Sequence, residues 1–143
     1  MDPRGKVALI TGGKRVGAAV ALALAKHPVV ERYDLSSLRV MLTAAAPLPA
    51  DVSAAVMERL GVIVKQAYGM TELSPMSHLT PESAVNPTAG GLIVRNTEVK
   101  VVDSATNAEL GPHQQGEIWV RGPQMMKGYL NRPEATAATI TPG

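Results

Sequence analysis

The sequence contains no cysteine and no phenylalanine, and only one tryptophan (Trp119) and three tyrosines among 143 residues. Without thiols, disulfides and thiolate metal sites are excluded, and the composition fits a reducing compartment. Charge of one sign is also lacking: the formal net charge is +2, and Lys14-Arg15 is the only adjacent basic pair. With so few aromatics to stack on bases, nucleic acid is set aside as the main partner. No apolar run approaches the ~20 residues that a membrane-spanning helix needs. Residues 16–25, behind the basic pair and with an Ala-x-Ala spacing, imitate a secretory leader. However, a strand-like segment and two glycines stand in front of them. The expectation is a soluble, cytoplasmic protein that does not engage a membrane. Its core must be built from Val, Leu, Ile, Ala and Met. Small side chains each bury little area, at about 25 cal/mol per Å², so stability is expected to be modest unless subunits associate.

What is present has a clear order. Residues 6–11, KVALIT, form a short apolar run closed by Gly12-Gly13 and read as a buried strand. Val16 to Lys26 is rich in Ala and Leu and apolar all round, which predicts a helix packed on more than one side. A second strand is expected over 38–45. A helix then starts at Pro49-Ala50-Asp51 and ends at Gly61. Val62-Ile63-Val64 opens a third strand running to Tyr68. This β-α-β-α-β order predicts a three-stranded parallel unit with right-handed crossovers. Residues 73–91 carry three prolines and read as a long loop. Beyond it, period-two patterns at 92–94, 98–102 and 117–121 predict a meander of antiparallel strands. A short last helix starts at Pro133. The expected domains are 1–74, a linker over 75–91, and a β-rich segment over 92–143.

Two stretches carry chemistry. The first is TGGKRVG, residues 11–17, a glycine turn between a strand and a helix start. Backbone N–H groups and a helix N-terminus suit a phosphate there, making Gly12, Gly13, Arg15 and Gly17 candidate nucleotide-binding residues. From Gly5 to Ala25 the chain resembles the opening of short-chain dehydrogenase/reductases, and the basic pair suits the 2′-phosphate of NADPH. Three departures argue against that cofactor. The turn is one residue short of T-G-x-x-x-G-x-G, the next strand ends in Thr43-Ala44-Ala45 with no acidic residue, and no Y-x-x-x-K occurs.

The second is a series of motifs: AKHPVVERYDLSSLRVMLTAAAPLPADV, VKQAYGMTELSP, NTEVKVVD and GEIWVRGPQMMKGYLNRPEATAATI. In order and spacing they resemble acid–CoA ligases of the adenylate-forming superfamily, the 4-coumarate–CoA ligase and acyl-CoA synthetase branch above all. The resemblance implies an α/β fold whose β-rich segment, 92–143, is part of a barrel. It implies ATP and Mg²⁺ as cofactors, and a nucleotide and a carboxylic acid as small-molecule partners. It makes Thr71 the donor to the α-phosphate and Glu72 the Mg²⁺ ligand, the two catalytic candidates. Tyr68, Gly69 and Met70 fall around the adenine, and Ala44, Ala45, Ala46 and Pro47 form a turn lining the adenosine and acyl pocket. The residue types suit that chemistry, since phosphoryl charge needs hydrogen-bond donors and a hard cation held by carboxylate oxygen.

Ala44 and Ala67 stand where many members have glycine. No S-G-T-T-G-x-P-K-G phosphate loop, G-W-x-x-T-G-D segment or C-terminal domain lysine is found in these residues. The expectation is therefore a ligase segment incapable of full turnover alone, joined at residues 1–25 to a reductase-like strand and helix. The alternatives are a self-associating chimeric scaffold, a homo-oligomer without activity, or a residual nucleotide-binding module. His27, His78 and His113 lack metal-ligand spacing and read as loop residues. Trp119 and Met125-Met126 read as packing residues.

Overall fold

The computed structural model describes residues 7–10, 16–83, 85–86 and 88–141. These group into two compact units: residues up to Gly69 with His78–Leu92, and Met70–Ser77 with Ile93 onward. No helix among the described residues is long and apolar enough to cross a membrane.

The first unit opens with β1 (Val7–Ile10), α1 (Val16–Lys26), β2 (Val40–Ala44), α2 (Ala50–Leu60) and β3 (Ile63–Gly69). β1 pairs with β2, and β2 with β3, all parallel, with Val7 opposite Val40 and Val40 opposite Ile63. The alternating burial of β2 and β3 sends Met41, Thr43, Val64 and Gln66 inward. On that face the core gathers Ala21, Ala25, Met41, Leu48, Val56, Val62 and Val64. α1 buries Gly17, Ala21 and Ala25, one narrow stripe at four-residue spacing, and leaves Val20 and Leu22 exposed. The helix is thus covered on one side only, against α2, which corrects the expectation of packing all round. Its small buried residues let the two helices approach closely, and the larger ones face out. α2 ends where Gly61 takes a left-handed turn, its N–H bonded to the Met57 carbonyl.

Two further strands, β4 (Met76–Leu79) and β5 (Leu92–Ile93), extend the same sheet in the order β1-β2-β3-β4-β5. Both differ from the sequence expectation. β4 lies inside the stretch read as loop, and β5 was expected to begin an antiparallel meander. The reason lies in backbone contacts of the first unit. Thr80 N–H donates to the Gln66 carbonyl at 2.9 Å, and Thr80 Oγ1 both donates to that carbonyl and accepts from Gln66 N–H. At Gly91, φ is +106°, and a Cβ there would lie 2.2 Å from the Leu79 carbonyl carbon. Only glycine allows that approach, which brings the chain alongside Leu79 as it enters β5.

The second unit holds the ribbon β6 (Glu98–Val102) and β7 (Glu117–Arg121), with α3 (Pro133–Thr139) following. β6 and β7 are antiparallel, pairing Glu98 with Arg121, Lys100 with Trp119 and Val102 with Glu117. The Lys100 ammonium stands 5.0 Å over the Trp119 ring. Val102 and Leu73 are the buried apolar residues among those described here. The barrel expectation is overturned: the described strands form one five-stranded and one two-stranded sheet, and neither closes on itself. With β5 in the larger sheet, only two of the three expected meander strands remain to pair together. The fold is mixed α/β.

Candidate functional site

In the first unit the predicted adenosine-side residues lie on neighbouring strand ends. Ala44 and Ala67 face each other in register across β2 and β3. The turn Ala44–Pro47 and the strand end Tyr68–Gly69 therefore leave the sheet at one edge, the C-terminal one. Open parallel sheets offer ligands their unpaired backbone groups at that edge. Ala45 and Pro47 are exposed, while Ala44, Ala46 and Gly69 are half-buried. Ala45 holds φ 71°, a left-handed conformation that a side chain disfavours, so the turn needs an external tether.

Gln66 supplies that tether. Its buried side chain accepts from Leu48 N–H at 3.0 Å, while its own backbone is held by Thr80 on both sides. A buried amide with partners fixes geometry because leaving it unpaired is costly. Tyr68, exposed, meets His78 edge to face with ring centroids 5.7 Å apart. Partial burial holds the His78 imidazole below its ordinary pKa, favouring the neutral ring. Gly17 is buried in the first turn of α1. Gly12, Gly13 and Arg15 lie outside the described residues.

Met70, Thr71 and Glu72 belong to the second unit. Thr71–Leu73 is a 3-10 turn, closed by Leu73 N–H to the Met70 carbonyl at 3.0 Å and Ser74 N–H to the Thr71 carbonyl at 3.2 Å. Buried Leu73 anchors it, and Thr71 is left exposed. Glu72 is gripped twice: its carbonyl accepts from Met126 N–H at 2.8 Å, and its Oε1 accepts from the Tyr129 hydroxyl at 2.5 Å. The Tyr129 hydrogen bond, then the residue's own backbone N–H, hold the Glu72 carboxyl below the usual carboxylate range. The same bond pushes the Tyr129 phenol up. At neutral pH the pair is carboxylate and neutral phenol.

Among the described residues no cluster of three or more His, Cys, Asp or Glu side chains is placed to hold a metal. Glu72 offers one ionised carboxylate, and a Mg²⁺ ion can be held by a single carboxylate when phosphate oxygens and water complete its shell.

Gln66, Thr80 and Tyr129 were not singled out in the sequence, and His78, read there as a loop residue, lies half-buried in β4 because pairing makes that segment a strand. Gln66 carried a signal: it follows Val62 and Val64 on the inward face, where a polar side chain demands a partner. Tyr129 carried none, being 57 positions from Glu72.

A family model described as AMP-binding enzyme matches residues 9–130. 4-Coumarate–CoA ligase 2 of Oryza sativa subsp. japonica is 53% identical over 127 residues, covering 85% of this chain and 22% of that protein. The chain thus spans between a fifth and a quarter of the length of such relatives. Among solved structures, the amide bond synthetase McbA of Marinactinospora thermotolerans superposes with TM-score 0.81 at 30% identity, covering 95% of this chain and 27% of that one. The anthranilate CoA ligase AuaEII, in complex with anthranoyl-AMP, gives TM-score 0.79 at 25% identity, with 91% and 24% covered.

Proposed function

Because this chain belongs to the AMP-binding enzyme family, we propose that it is a segment of an ATP-dependent carboxylic acid–CoA ligase of the 4-coumarate–CoA ligase type. In that reaction a carboxylate oxygen bonds to the α-phosphorus of ATP and pyrophosphate leaves. The thiol of coenzyme A then attacks the acyl carbon, and AMP leaves. Tyr68, Gly69, Met70 and the turn Ala44–Pro47 take the adenosine and acyl groups. Thr71 donates its hydroxyl to an α-phosphate oxygen, and Glu72 is the protein's ligand to Mg²⁺. The ion, when bound, supplies neutralisation of phosphoryl charge. The observation that carries this reading is the segment Tyr68–Glu72 within the residues matched to the family, with Thr71 exposed and the Glu72 carboxylate held by the Tyr129 hydroxyl.

The family match starts inside β1, which supports assigning β1 and α1 to the ligase as well. It lends no support to a reductase-like origin or a chimera, and NADPH is left out of the proposal. These 143 residues alone do not complete the reaction in this reading, since they contain no S-G-T-T-G-x-P-K-G loop for the β- and γ-phosphates. ATP–pyrophosphate exchange with hydroxycinnamic and fatty acids tests this. No exchange above background is expected from the 143-residue chain; exchange with any acid contradicts the claim of incapacity.

A second reading, self-association, is favoured by β5. It is an outer strand of the sheet, and Leu92 on it is 66% exposed. Light scattering is expected to show a dimer or larger species; a monodisperse monomer at high concentration rules it out.

A further inference from the structure

Within the second unit, a chain of contacts leads from α3 to Glu72. Gly128 adopts φ +147°, and a Cβ there would sit 2.7 Å from Thr136 Cγ2 and 2.9 Å from its Oγ1. The absence of that Cβ lets the following residue come in close: Tyr129 N–H donates to Thr136 Oγ1 at 2.9 Å. Thr136 Oγ1 in turn donates to the Arg132 carbonyl at 2.9 Å, on the first turn of α3. Tyr129 is thus fixed at its backbone, and its hydroxyl donates to Glu72. The Glu72 main chain is pinned separately, by Met126 N–H. Glu72 is thus held at its main-chain carbonyl and at one carboxylate oxygen by Met126 and Tyr129, residues from which the sequence motifs take no chemistry.

We propose that Tyr129, seated by Thr136 of α3, is a positioning residue that holds the Glu72 carboxylate in one orientation for a divalent cation carried on nucleotide phosphates. This rests on the reading above in which Glu72 takes that cation. A glutamate has three side-chain torsions, and an exposed one samples several rotamers. One hydroxyl donor on Oε1 selects among them and leaves Oε2 to turn toward a ligand. The arrangement is that of an outer-sphere partner orienting a metal-binding carboxylate, whose loss weakens metal affinity without removing a ligand.

The test uses the 143-residue chain, Mn²⁺ as the cation and ATP as its carrier. Free Mn²⁺ is read by electron paramagnetic resonance, and ATP binding without metal is measured in EDTA. The Glu72 χ1 distribution is read from three-bond NMR couplings. Tyr129→Phe, which keeps the ring and loses the hydroxyl, is expected to weaken Mn·ATP binding about three- to tenfold and leave metal-free ATP binding unchanged. It is also expected to turn one Glu72 rotamer into an average. Glu72→Gln should weaken Mn·ATP binding at least as much, and the double variant no more than Glu72→Gln alone. Thr136→Val, which leaves Tyr129 in place without its seat, should shift both readouts in the same direction by a smaller factor, and serves if Tyr129→Phe does not fold. If Tyr129→Phe and Thr136→Val both leave cation affinity unchanged while Glu72→Gln lowers it, the positioning role is wrong and the cation reading stands. If Glu72→Gln changes nothing, or the wild-type chain binds no Mn·ATP, the cation reading is wrong and the positioning role falls with it.

Discussion

The two units are held together by different means. In the first, apolar side chains from α1, α2, β2 and β3 converge on one face, and Val56, Met41 and Val64 are almost wholly buried. In the second, few apolar groups are buried, and the chain is tied instead by polar clamps. Asp103 Oδ1 accepts from Ala105 N–H, Thr106 N–H and the Thr106 hydroxyl. Gln124 Nε2 donates to Thr97 Oγ1 at 2.7 Å, and Thr136 and Tyr129 bind as described above. A core tolerates no loss of volume but is indifferent to pH. A set of clamps responds to proton, hydroxyl and amide chemistry one group at a time. The charged candidate residue, Glu72, lies on the side built from clamps, where its orientation is set by hydrogen bonds that a substitution can remove singly.

The largest effect is expected in the core of the first unit. Met41→Ala is expected to destabilise the first unit by about 2–5 kcal/mol, the range for truncating a buried Met or Leu side chain. Urea titration followed by the first unit's amide signals checks it. A loss below 1 kcal/mol means that the core is looser than its burial implies. Next comes the tether of the adenosine-side turn. Gln66→Leu leaves the Leu48 N–H buried without its partner, costing about 1–3 kcal/mol and exposing that amide to exchange. Unchanged hydrogen exchange at Leu48 would show that the tether is dispensable.

In the second unit the expected effects are smaller and tied to single groups. Hydrogen bonds from Thr106 and Ala105 depress the Asp103 carboxyl in the folded protein. A depressed folded pKa means stability present above the unfolded carboxylate value and lost as pH falls through the folded one. The turn 103–107 should therefore loosen as pH drops below the ordinary Asp range, and Asp103→Asn should remove that dependence; amide shifts of Thr106 report both. Smallest of all is the Glu98–Arg121 pair, with each side chain 70% exposed. Arg121→Ala is expected to cost ~0.5 kcal/mol or less, and a thermal-melt change beyond that would mean that the ribbon depends on it.

Local signals made the first unit's elements legible. α1 and α2 have their own apolar content and stop signals, and β2 and β3 are short apolar runs between turns. β4 was not legible because its residues, Met76 to Leu79, mix polar with apolar and lie between Pro75 and Pro81. Pairing makes it a strand, through neighbours such as the Thr80–Gln66 bonds that no local pattern announces. The barrel was inferred from the family resemblance, not from the residues, and the described strands close none. Thr71 and Glu72 stood out as candidates because they are adjacent in one motif. Tyr129 and Thr136 could not, since their partnership with Glu72 is made by the fold.

The central claim, that Thr71 and Glu72 form part of a nucleotide site, is tested most directly by calorimetry of ATP binding to the 143-residue chain in Mg²⁺. The expected result is ATP binding that Thr71→Ala and Glu72→Gln each weaken, with NADPH giving no heat. Absence of ATP binding, or ATP binding indifferent to both substitutions, would contradict it.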